Sequence, residues 1–147
     1  MKEFKSLLPY NKALELVKTH SKEFESETIE LNDSLDRTLS EDIVSPVDSP
    51  AFDRSAMDGY AVQARDTFPI SEGSHVTLEI IDSVTAGKVS NNEVLTGTAI
   101  EVMTGAMIPK GADSVVMQEF AERDNDKVRI YKKVFPYLHV SRKGEDI

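Results

Sequence analysis

Three short stretches of the chain carry the residue types from which chemistry could be built. "SPAFDRSAMDGYAV", residues 49–62, holds two acids, Asp53 and Asp58, among turn formers and bulky apolar residues. Asp58 has two candidate jobs, holding a hydrated divalent cation, which prefers oxygen ligands, or orienting a water. The alternative makes Asp58-Gly59 a turn, with Met57 and Tyr60 packed in the core. "TGTAIEVMTGAMIPKGADSVVMQEF", residues 96–120, reads as strand, glycine-bearing loop, strand. Gly105 lets backbone N–H groups approach a ligand closely, and Thr104 and Lys110 add a hydroxyl and a charge for an oxyanion. The alternative is that Gly105 and Gly111 only supply positive φ in a long hairpin connection. "SRKGEDI", residues 141–147, sets Arg142 and Lys143 before Gly144, and Glu145 and Asp146 after it. That suits a phosphate-plus-magnesium site as well as a surface turn.

Other chemistries are excluded. Gly87-Lys88 lacks the first glycine of a phosphate loop, since position 82 is Asp82, and Val89 stands where a magnesium-binding hydroxyl is required. There is no cysteine, which removes thiolate metal sites, disulfides and cysteine nucleophiles. His20, His75 and His139 are far apart and form no H-E-x-x-H pattern. With 17 basic against 26 acidic residues the net charge is −9, which repels nucleic-acid phosphates and anionic lipid headgroups. No window approaches the roughly 18 apolar residues of a membrane span, and "MKEFKSLLPYNK" has no signal-peptide core. A cytoplasmic protein with no nucleic-acid or membrane partner is expected.

The elements that must position these residues follow from periodicity. At 147 residues and 39% hydrophobic content the chain is long enough to fill a core. Tyr10, Ala13, Leu14 and Val17 repeat at helical spacing behind Pro9, predicting a helix to about His20. "ETIELND" alternates as a half-buried strand, and "SLDRTLSEDIVSP" suggests a helical turn and then a brief strand at Asp42 to Val44. Beyond Pro50, "YAVQA", "HVTLEII", "TAIEVM", "DSVVMQEF" and "DKVRIYKKV" are short β-type runs between Gly-, Asn-, Asp- or Pro-bearing segments. The expectation is an antiparallel β-subdomain, a small barrel or curled sheet, preceded by one helix.

Taken together, "SPAFDRSAMDGYAV", "AIEVMTGAMIPKGADSVVMQE" and "RKGEDI" resemble the MoeA family, the molybdopterin molybdotransferases that include the E domain of gephyrin. The resemblance runs over essentially the whole chain, with the three strings in order. It implies an α+β, mainly β architecture: an elongated N-terminal region of bifurcated or curled antiparallel sheets with a barrel-like distal subdomain. Residues 1–23 would be the N-terminal helix segment, 24–48 and 136–147 a connecting arm, and 49–135 the distal β-subdomain.

The implied activity is insertion of molybdate into adenylylated molybdopterin, assisted by a divalent cation, expected to be Mg2+. The family's functional residues fall on Asp58, Thr104 and Asp146 as catalytic positions, with Asp58 and Asp146 as metal ligands. Ser55, Gly105, Arg142 and Lys143 fall at cofactor-binding positions, and Glu119 matches by position only. Where the family often has an arginine this chain has Ser141, so a contact of that arginine with the pterin or a phosphate would be weakened or carried by a neighbour. Family members continue into a molybdopterin-binding domain and a C-terminal β domain, and form dimers whose site lies between subunits. The chain is then expected to be a piece of a longer protein, holding one wall of a composite site opposite the molybdopterin-binding domain of the partner subunit, and inactive alone. The family helix packs largely on the absent domain, so residues 5–20 would be loose or covered by a neighbouring chain. The alternative is a non-catalytic dimerisation or interaction module.

Overall fold

A computed structural model of the chain describes residues 7–22 and 24–147. The parts of the helix-segment expectation that fall on residues 1–6 and 23 lie outside the described residues. Two compact units divide the chain, Met1–Ile43 and Val44–Ile147.

Within the first unit, helix α1 spans Tyr10–His20, as the apolar spacing predicts. The Pro9 carbonyl accepts the N–H groups of Lys12 and Ala13, and Lys18 and His20 place basic groups in the last turn, where the helix dipole favours them. No residue of α1 is buried. The strand expected over "ETIELND" does not form; Leu31–Asp33 makes a short 3-10 turn instead. The strand expected at Asp42 to Val44 is likewise absent. Alternation specifies a strand only where a partner satisfies its backbone groups and one face is covered. No partner pairs with either segment among the described residues, and Leu31 and Val44 are exposed.

The second unit is a β structure. Its strands are β1 (Arg54–Ser55), β2 (Gly59–Val62), β3 (Val76–Val84), β4 (Thr98–Val102), β5 (Ser114–Met117), β6 (Ala121–Asp124), β7 (Lys127–Ile130) and β8 (Val140–Ser141). Six of them form one sheet in the order β5-β2-β4-β3-β7-β6, and β1 pairs with β8. Only Gln118–Phe120 joins β5 to β6, the two edges. Laid flat, those edges would stand about 24 Å apart at ~4.8 Å per strand. The four Cα steps from Met117 to Ala121 reach at most about 15 Å. The sheet is therefore curled, and Arg123 of β6 meets Glu101 of β4 at 2.9 Å although β3 and β7 lie between them in the ladder.

Curling gives the sheet two differently covered faces. Tyr60, Val62, Leu78, Ala99, Val116, Val128 and Ile130 form one buried cluster, and Ala61, Val84, Ile100, Val102 and Val115 belong to the other. Strand β2 is central and buried at all four positions, so it shows no polar alternation. In the 3-10 turn Ala64–Thr67 the Thr67 hydroxyl is fully buried; it donates to the Ala64 carbonyl at 2.7 Å and accepts the Val134 N–H at 3.0 Å.

The sheet is not wholly antiparallel, contrary to expectation. Strands β3 and β4 pair in parallel, with a register shift between Ile80 and Asp82. A parallel pair needs a crossover of about a dozen residues. Residues 85–97 provide it without a helix, and their turn-rich composition resembles a hairpin connection. "DSVVMQEF" also divides: after β5 the Gln118 N–H turns to the Asp58 carbonyl, 3.1 Å away, and the run breaks into a 3-10 turn.

Candidate functional site

The site is assembled by the antiparallel register of β2 against β4, which places Gly59 opposite Val102. The residue before Gly59 must then face the residues after Val102, and Asp58 meets Thr104. Thr104 donates its N–H to Asp58 Oδ1 at 2.6 Å and its hydroxyl to the same oxygen at 2.7 Å. Those two bonds, the backbone one first, stabilise the charged form and hold the Asp58 carboxyl below the usual aspartate range against slight desolvation. Asp58 is thus an oriented, ionised carboxylate on an exposed surface. Its Oδ2 has no hydrogen-bond partner among the described residues.

Gly59 is the first residue of β2 and takes no positive φ, so Asp58-Gly59 does not form the primed hairpin turn. What demands glycine there is close packing: a Cβ would stand 1.9 Å from the Val116 carbonyl oxygen on β5. Gly105 does require positive φ, +82°, as third residue of the turn Met103–Ala106, closed by a 2.9 Å bond from the Ala106 N–H to the Met103 carbonyl. This is type II geometry, and it points the Thr104 N–H at Asp58.

Ser55 locks the other side of that turn. The Gly105 N–H donates to the Ser55 carbonyl, and the Ser55 N–H to the Ala106 carbonyl, both at 2.8 Å. The Ser55 hydroxyl is buried and donates to the Met57 carbonyl. Ser55 and Gly105 accordingly work here as framework. Lys110 pairs with Glu93 at 2.8 Å. Glu119 lies in the 3-10 turn whose first N–H bonds the Asp58 carbonyl.

The third motif joins through β1, which pairs Arg54 with Ser141 and Ser55 with Val140. Beyond that pair, the Gly144 N–H reaches the Pro50 carbonyl at 3.0 Å and the Asp146 N–H the Ser49 carbonyl at 2.9 Å. Asp146 Oδ2 lies 3.9 Å from the Arg54 guanidinium, and Lys143 Nζ is 3.0 Å from Asp48. Arg142 lies over the Tyr137 ring at 4.7 Å. So Ser55, Asp58, Thr104 and Gly105 form one bonded group, while Arg142, Lys143 and Asp146 belong to an adjoining one.

Two residues that the sequence motifs underplay hold these groups together. Asp53 accepts the Lys143 N–H at 2.8 Å across 90 positions of chain, and Arg54 stands opposite Ser141, the position where an arginine is expected. Asp53 caps a backbone N–H, and a distant one. No local signal could have revealed that partner.

Magnesium does not find a cage here. No group of three His, Asp or Glu side chains is gathered for a metal among the described residues, and Asp146 is paired to Arg54. Carboxylates of this chain would need ligands from substrate or another chain to hold the ion. Among the described residues no helix is long and apolar enough to cross a membrane.

Known proteins are similar to this chain in sequence and fold. The family profile described as "MoeA N-terminal region (domain I and II)" matches residues 8–147. The molybdopterin molybdenumtransferase of Bacillus subtilis is 40% identical over 150 residues, covering 99% of this chain and 35% of the relative. That of Staphylococcus aureus is 35% identical over 144 residues, covering 98% and 34%. A crystal structure of the molybdopterin biosynthesis MoeA protein from Pyrococcus horikoshii OT3 superposes with a TM-score of 0.78 at 44% identity, over 97% of this chain and 37% of that one. The chain spans about a third of the length of these relatives. The matched length, the sequence identities and the mainly β fold agree, and the chain belongs to the MoeA family, matching that family's N-terminal region.

Proposed function

We propose that this chain is the part of a molybdenum cofactor biosynthesis enzyme that supplies one wall of the site where molybdate enters adenylylated molybdopterin. The observation that carries the reading is the pair of bonds from Thr104 to Asp58, which ties together the two most distinctive motif strings through one carboxylate. Relatives of this chain bear the name molybdopterin molybdenumtransferase, which supports the same reaction class.

In this reading Asp58 is the working acid. It is ionised and fixed in direction, so it can orient a water or accept a proton with its unbonded oxygen. Thr104 positions it, Gly105 and Ser55 hold the turn that positions Thr104, and Asp146 with Arg142 and Lys143 forms a charged flank. Arg54, across from Ser141, takes the place of the missing arginine. Mg2+ has no complete ligand set in this chain, so no step is assigned to it. The opposite wall comes from the molybdopterin-binding domain of a partner subunit in a homodimer. Residues 49–135 form the distal β-subdomain of that assembly. The chain by itself turns nothing over.

The test is insertion of molybdate into adenylylated molybdopterin by the full-length protein carrying Asp58→Asn. Loss of insertion in a folded protein supports the reading. Unchanged insertion, with reduced stability as the only effect, would leave the dimerisation or interaction module as the function.

A further inference from the structure

The parallel pairing of β3 and β4 has a consequence for the site. Both strands run in one direction and end in register at Val84 and Val102. The chain therefore leaves both at the same end of the sheet, and each exits into a turn. After β4 comes Met103–Ala106, which holds Asp58. After β3 comes Thr85-Ala86-Gly87-Lys88, closed by a 3.0 Å bond from the Lys88 N–H to the Thr85 carbonyl, with Gly87 at φ +82°. The turns touch: the Met103 N–H donates to the Val84 carbonyl at 3.1 Å, and the first heavy atom a Cβ on Gly105 would meet is the Ala86 methyl, 3.8 Å away.

The second turn is held in shape. At its base Asp82 accepts the Ser83 N–H at 2.8 Å on one oxygen, and on the other the Ser90 hydroxyl and the Asn92 amide. The Asn92 N–H closes on the Ser90 hydroxyl at 3.0 Å. Ser90, then Ser83, keeps the Asp82 carboxyl below its ordinary range, so the staple stays charged. The turn thus stapled spends little on its own groups. The N–H groups of Ala86 and Gly87 have no hydrogen-bond partner, and Lys88 no ion-pair partner, among the described residues. All three residues are exposed. Two free N–H donors beside a cation suit an oxyanion.

We propose that the turn Thr85–Lys88 is a second edge of the Asp58 site, where the N–H groups of Ala86 and Gly87 and the charge of Lys88 bind an oxyanion of the substrates. The bulk at position 86 then sets how closely that oxyanion approaches Thr104. The proposal rests on the transferase reading given above. The oxyanion is either molybdate or a phosphate of the adenylylated pterin, two sources with one chemistry.

The test uses the full-length protein with Ala86→Leu, which fills the space between the turns, and Lys88→Glu, which reverses the charge. Insertion is followed while molybdate and adenylylated molybdopterin are titrated separately, with thermal midpoints as the check on folding. The expected result is a KM raised roughly tenfold or more, the scale of lost charge-assisted bonds, with kcat little changed. A rise for molybdate alone assigns molybdate to the turn, and a rise for the pterin alone assigns its phosphates. Should Ala86→Leu fail to fold, Lys88→Glu decides, since position 88 is exposed. Wild-type KM for both substrates in the folded variants overturns the proposal. Asp58→Asn is assayed alongside: insertion that survives it sinks the transferase reading, whereas its loss beside unaltered KM values sinks this inference alone.

Discussion

Asp58 and Thr104, 46 positions apart in the chain, are joined by two hydrogen bonds to a single carboxylate oxygen. Because one donor is a backbone N–H, the geometry belongs to the β4 turn as much as to the threonine. Because both donors fall on Oδ1, orientation is fixed while Oδ2 is left without a hydrogen-bond partner among the described residues.

The first expectation concerns that ionisation. A carboxyl whose folded pKa is depressed stabilises the fold above its unfolded pKa, and loses that contribution as pH falls through the folded value. Thr104→Val removes the hydroxyl bond but keeps the N–H. Carboxyl NMR titration of the chain should show the Asp58 pKa shifted back toward the ordinary range in Thr104→Val. The stability gap between wild type and variant should be constant near neutrality and close below about pH 4. A gap that widens in acid contradicts the assignment.

Packing at the start of β2 gives a second expectation. In Gly59→Ala the new methyl meets the Val116 carbonyl oxygen at 1.9 Å, and a backbone atom cannot swing aside as a side chain would. Separating β2 from β5 should cost at least ~1–3 kcal/mol, the usual toll of overpacking. Urea denaturation of the chain measures it. A near-neutral result would mean that this strand pair is not packed as described.

How much of this was legible beforehand depends on the range of the interaction. Helix α1 was, because the spacing of Tyr10, Ala13, Leu14 and Val17 is local. Strands β2, β3, β4, β5 and β7 were too, as β-branched runs between turn residues, whereas β1, β6 and β8 carry no such run. Partners were not. Nothing in "HVTLEII" or "TAIEVM" states that β3 and β4 run parallel, since that follows from where the crossover returns. "ETIELND" has the alternation of a strand and lacks a neighbour to pair with. At the site, the motifs pointed to Asp58 and Thr104, and the bond between them is a matter of register. Asp53 drew no role from its neighbours in sequence because its partner, Lys143, is 90 positions away.

That long-range bond supplies a third expectation. The Lys143 N–H is tied to Asp53 Oδ1, while Asp146 and Gly144 rest on Ser49 and Pro50. Asp53→Ala should loosen the segment from Arg142 onward and leave β2 and β4 intact. Amide exchange at Lys143 should accelerate by about tenfold or more, as expected for a bond to a charged acceptor, with no change at Ala61 or Ile100. Equal acceleration throughout would show that Asp53 supports the whole sheet and does not act on the motif segment.

The last expectation tests the support beneath the sheet. The Thr67 hydroxyl is fully buried and serves two backbone groups, giving its proton to Ala64 and accepting the Val134 N–H. Thr67→Val keeps the shape and removes both bonds, leaving a donor without a partner in the interior. Such a loss costs about 1–3 kcal/mol, whereas exchanging a hydroxyl for a methyl at the surface would be nearly neutral. Thr67→Ser restores both bonds at the expense of one methyl group and should recover most of the stability. Thermal or urea unfolding of the three proteins should therefore rank wild type, then Thr67→Ser, then Thr67→Val. A Thr67→Val protein as stable as wild type would mean that water reaches Val134 and that the loop over this face of the sheet is open.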